Sequence, residues 1–70
     1  MTGSRKGKVI NWDEGAGSGQ VTEDGGDTHY FERTSCSTAL QTALQNNGSS
    51  HIRVTFDVAV NDDAINLDLL

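Results

Sequence analysis

The stretch Gly15-Ala16-Gly17-Ser18-Gly19-Gln20-Val21 decides how the chain is read. Glycines at every second position, running into the alternation that ends at Val21 and Thr22, describe a strand with almost no side chain on one face. Glycine weakens a strand interior, so it is kept there where another backbone or a ligand must approach closely, or where a small barrel bends sharply. The same spacing excludes a phosphate cradle. It lacks the Lys-Ser/Thr of a Walker motif and the glycine spacing of a dinucleotide fingerprint, and 70 residues leave no room for a supporting parallel sheet.

On the N-terminal side, Asp13-Glu14-Gly15 reads as a turn and Gly7-Lys8-Val9-Ile10-Asn11-Trp12 as strand one. Strict alternation points Val9 inward and puts Lys8, Ile10 and Trp12 on the other face. Trp12 then has two roles open to it: folding over an open edge of the core, or offering a base a stacking platform beside Lys8. Residues 1–6 read as a mobile basic arm, with Gly3 and Ser4 and no apolar residue after Met1. On the C-terminal side, Glu23-Asp24-Gly25-Gly26-Asp27 is a strong hairpin turn. Strand three, Thr28 to Arg33, places Phe31 inward with His29 and Arg33, and Tyr30 outward with Glu32.

The period then changes. Leu40, Ala43 and Leu44 recur at helical spacing, Thr38 with Gln41 resembles a capping box, and Asn46-Asn47-Gly48 is a stop. This predicts a helix over about Thr38 to Gln45. Beyond it Ile52, Val54, Phe56, Val58 and Val60 alternate with Arg53, Thr55, Asp57 and Ala59, giving a half-buried strand. A turn at Asn61-Asp62-Asp63 leads to a fifth strand, with Ile65, Leu67 and Leu69 on one face. Five short antiparallel strands with a helix between the third and fourth make the expected fold all-β, a Greek-key barrel of the OB type. Closure of such a barrel removes exposed edges.

Composition narrows the function. One 70-residue domain buries only roughly 60% of its unfolded surface, so a deep active-site cleft is not expected. Cys36 is the one cysteine, which excludes an intrachain disulfide and a Cys/His zinc set and reads as a small buried hydrophobe. A reducing, cytoplasmic setting fits, with no signal peptide and no membrane span in the sequence. No spacing of His29, His51, serines and acids assembles a nucleophile, a base and an orienting carboxylate, so neither an enzyme nor a cofactor or metal is expected. Net charge is −5, and beyond position 8 only Arg33 and Arg53 stand against ten acidic residues. That balance opposes strong phosphate binding.

Read as a whole, the chain resembles a cold-shock domain from residue 7 to residue 70. The resemblance rests on Gly7-Lys8-Val9, Trp12-Asp13, Gly17-Ser18-Gly19-Gln20-Val21, Asp24-Gly25-Gly26, His29-Tyr30-Phe31-Glu32-Arg33-Thr34, Val54-Thr55-Phe56 and Ala64-Ile65-Asn66-Leu67, in the family's order and spacing. It implies single-stranded RNA or DNA as ligand. The family's stacking positions fall on Ser18, Gln20, Tyr30 and Glu32, and only Tyr30 is still aromatic. The basic residue ahead of the glycines is Ala16, the phenylalanine after the family's histidine is Arg33, and the strand-one aromatic pair survives only as Trp12. Two lost stacking residues at about 1–3 kcal/mol each weaken binding by about 2–6 kcal/mol. The expected function is therefore weak, low-specificity single-stranded binding. Trp12 and Tyr30 would stack, Lys8 and Arg33 would meet phosphate, and Ser18 and Gln20 would reach base edges. The alternative is an acidic protein-interaction module that keeps the barrel and has lost the nucleic-acid surface, meeting a basic partner or a second copy as a weak homodimer.

Overall fold

The computed structural model describes residues 5–48 and 52–70. It is all-β with one short helix: β1 (Arg5–Asp13), β2 (Ser18–Glu23), β3 (Thr28–Glu32), a 3₁₀ turn (Arg33–Ser35), α1 (Thr38–Asn47), β4 (Arg53–Val58) and β5 (Ala64–Leu69). The strands form one antiparallel sheet in the order β3-β2-β1-β4-β5. This sheet curls into a half-barrel that brings its edges together. Cys36, just beyond β3, makes a parallel bridge to Leu67 of β5, and the Ser37 N–H donates to the Leu67 carbonyl at 2.8 Å.

The concave side is filled by Val9, Val21, Phe31, Val54, Phe56, Ala64 and Leu67, and Leu40 and Leu44 of α1 cover one end of it. The helix starts where Ser37, not Thr38, accepts the N–H of Leu40, because the same Ser37 hydroxyl donates to Asp68 of β5 and is held in place. Gln41 turns back to the Cys36 carbonyl instead of closing a capping box. The helix runs two residues past the expected end, to a cap at Gly48.

Two inserted residues correct the alternation read from the sequence. In β1, Val9 pairs with Val21 but Asn11 pairs with Gln20, so Ile10 is a bulge and every residue after it changes face. Trp12 therefore sits on the concave side, not beside Lys8. In β5, Thr55 pairs with Asp68 but Asp57 with Ile65, and Asn66 takes up the extra residue at φ 54°. Ile65 is thereby turned away from Leu67, and Leu69 ends at the exposed rim.

Gly19 explains why this strand needs glycine. It is the middle of the cross-strand row Trp12–Gly19–Phe31. The two rings stack over it with centroids 5.6 Å apart and planes 11° from parallel. A Cβ there would strike the Asn11 carbonyl and come 3.0 Å from the indole. Gly17 is a correction: it is not a strand residue but closes the β1–β2 turn at φ 71°. Asp13 holds this turn, its side chain accepting the N–H groups of Gly15 and Ala16 and its carbonyl that of Gly17. Val60, expected in strand four, is fully exposed in the β4–β5 turn. Of the expected basic arm, Arg5 and Lys6 belong to β1, where they pair with Phe56 and Thr55 of β4. The rest of it lies outside the described residues, as does His51.

Candidate nucleic-acid interface

The convex face of the sheet is built in cross-strand rows, because β1 is paired on both sides. One row runs Tyr30–Gln20–Asn11 and the next Thr28–Thr22–Lys8–Arg53. Beyond the first lies Glu32–Ser18–Asp13, and beyond the second Lys6–Thr55–Asp68. Tyr30 is half exposed, and its hydroxyl donates to Ser18 Oγ at 3.0 Å, which fixes the ring against the face. Ile10, pushed out by the bulge, is also exposed.

Four of the six expected site residues, Lys8, Ser18, Gln20 and Tyr30, thus share one surface. Trp12 and Arg33 do not join them. They meet each other at the rim by the β1–β2 turn, where the Arg33 guanidinium lies 5.7 Å from the centre of the indole. Glu14 joins the pair: Trp12 Nε1–H donates to Glu14 Oε1 at 2.9 Å, and Arg33 donates to Glu14 Oε2 at 3.0 Å and to its carbonyl at 2.7 Å. Arg33 is not in β3 as expected, since the 3₁₀ turn begins with it, its N–H donating to the Gly17 carbonyl.

The face is electrically divided. Among the described residues no ion pair involves Lys6 or Lys8, whereas all three arginines are paired, Arg5 with Glu23, Arg33 with Glu14 and Arg53 with Asp24. Positive charge is therefore free at the start of β1, and Asp13 and Glu32 make the opposite end acidic. His29 faces inward as expected, its side chain 10% exposed and packed on Phe56 with ring centroids 5.7 Å apart. Its Nδ1 donates to the Asp62 carbonyl at 2.8 Å, since a carbonyl can only accept, and its Nε2 lies 3.3 Å from Glu23 Oε1. Burial raises the Glu23 carboxyl, but the hydrogen bonds and charges of Arg5 and His29 outweigh it and hold the group below its ordinary value of 4.5. Burial pushes the Cys36 thiol up to about 11 against the opposing charge of Arg33, so it is protonated and a poor nucleophile at neutral pH.

Sequence reasoning missed Asn11, Glu14 and the Glu23–His29 contact, and placed Lys6 in the basic arm, not in β1. Lys6 lies two residues from Lys8 and was legible as strand; Glu14 carried no signal beyond its turn. Among the described residues no His, Cys, Asp and Glu side chains cluster to hold a metal, and no helix is long and apolar enough to cross a membrane. Compared with protein-family models, curated protein sequences and solved structures, the chain finds no match.

Proposed function

We propose that the chain is a diverged cold-shock-like domain of the OB type that binds single-stranded RNA or DNA weakly and with little sequence preference. The observation that carries this is the convex face of β1–β3: a half-exposed Tyr30 shares a row with the amides of Gln20 and Asn11, beside Lys8 and Lys6, which form no ion pair among the described residues. An aromatic face stacks any base, amides reach base edges, and lysines follow the phosphates. The OB reading is supported by β1 lying between β2 and β4, by the helix between the third and fourth strands, and by the parallel contact of Cys36 with Leu67. A cytoplasmic setting belongs to the proposal, supported by a lone cysteine that needs no oxidising compartment.

The platform is Lys6, Lys8, Asn11, Ser18, Gln20 and Tyr30, and one aromatic anchors it. Heteronuclear NMR titration with a short pyrimidine-rich oligonucleotide at low ionic strength tests it. Saturable, salt-sensitive shifts on these residues are expected, and Tyr30→Ala should weaken binding by about fivefold to a hundredfold. An unmoved spectrum would sink the reading.

One observation favours the second reading. Every arginine is neutralised by a carboxylate and the rim of the face is acidic, which suits a basic protein partner. Shifts on the same face with a lysine-rich peptide, and none with the oligonucleotide, would select it.

A further inference from the structure

The two expected site residues that left the platform converge on one anion. Trp12 Nε1–H can only donate, and the guanidinium of Arg33 is a fixed cationic donor suited to carboxylate and phosphate alike. Each takes a different oxygen of Glu14, at 2.9 and 3.0 Å. We propose that Trp12 Nε1 and Arg33 form a phosphate subsite for single-stranded nucleic acid, which the Glu14 carboxylate occupies in the unliganded protein as an internal competitor. The inference rests on the nucleic-acid reading above.

Three features make the carboxylate displaceable while its donors stay in place. Glu14 stands in the β1–β2 turn with its side chain 53% exposed, opposite an Arg33 side chain 41% exposed, so water and salt screen the pair. Arg33 keeps a second bond, to the Glu14 backbone carbonyl at 2.7 Å, which holds the guanidinium after the side chain swings away. Beneath it, Trp12 is packed on Phe31, and the guanidinium lies across the turn beside Gly17. The subsite also lies within reach of the platform. Arg33 follows Glu32, whose cross-strand partner Ser18 holds the Tyr30 hydroxyl, so a strand stacked on Tyr30 extends one row to reach it. Glu32 opposes a phosphate on that path, which is a second reason for weak binding.

The test compares the wild-type chain with Glu14→Gln and with Asp27→Asn, a charge-matched change in the far hairpin turn, using short oligodeoxythymidine at low salt. Glu14→Gln should bind about threefold to fivefold tighter than Asp27→Asn, and the Trp12 indole N–H resonance should move on saturation. Adding Arg33→Gln to Glu14→Gln should cancel the gain. Equal affinities of the two single variants, or an indole resonance unmoved at saturation, would overturn the subsite. If no variant shows saturable shifts with the oligonucleotide, the nucleic-acid reading itself falls. Inorganic phosphate titrated into Glu14→Gln then decides the anion site alone: a saturable shift of the Trp12 indole keeps it, and none removes it.

Discussion

Glu14 and Glu23 stand at opposite ends of the β1–β2 hairpin, and each bridges an arginine to a ring nitrogen, Arg33 and Trp12 for one, Arg5 and His29 for the other. Their surroundings differ. Glu23 ends a strand, its side chain is 20% exposed, Arg5 reaches both of its oxygens, and its ring partner is anchored across the barrel mouth to Asp62. Glu14 hangs in a turn at 53% exposure, and both of its partners belong to the rim. The same donor set is a clasp where backbone pairing and burial fix the carboxylate, and a removable cover where they do not.

The largest expected effect attacks the floor of the rim cluster. Gly19→Ala drives a methyl into the Asn11 carbonyl and the indole of Trp12, and should destabilise the domain by about 1–3 kcal/mol in urea denaturation. Unchanged stability would mean that the aromatic pair does not depend on the bare glycine. Next comes acid. The Glu23 carboxyl is held below its ordinary value, so in the folded state it favours ionisation; the stability it adds is present above 4.5 and is lost as pH falls through the lowered value. The thermal midpoint should therefore drop on that acid limb, and Glu23→Gln should lower the midpoint at neutral pH and flatten the limb. A limb of the same steepness in the variant would break the contrast. Smallest is Glu14→Gln, expected to change unfolding stability by less than about 0.5 kcal/mol. A larger loss would make Glu14 a clasp like Glu23.

Much of the fold was legible because the period held locally. Val9, Val21 and Phe31, the Asp24-Gly25-Gly26 turn, the helix with Leu40 and Leu44, and Ile52, Val54 and Phe56 are all where alternation or helical spacing put them. What failed failed by one residue. A period-two reading has no room for an insertion, and neither Ile10 nor Asn66 carries the glycine that marks some bulges, yet they turn Trp12 and Ile65 to the opposite faces. Half of the damage to the candidate site traces to Ile10 alone. Arg33 was lost differently: strand three gives way to the 3₁₀ turn at that residue, a boundary that propensity places only loosely. Lys6 was assigned to an arm because no apolar residue lies between it and Met1, although its pairing with Thr55 needs no apolar side chain.

Cys36 lies where the two edges of the sheet meet, through its bridge to Leu67. The residue is 8% exposed and its thiol is pushed up to about 11, so the closed molecule offers a maleimide almost no thiolate. Parting of the two edges would uncover the sulfur and return it to ordinary acidity. The domain thus carries its own clock: the labelling rate of the native protein counts how often the barrel opens, without any probe being introduced.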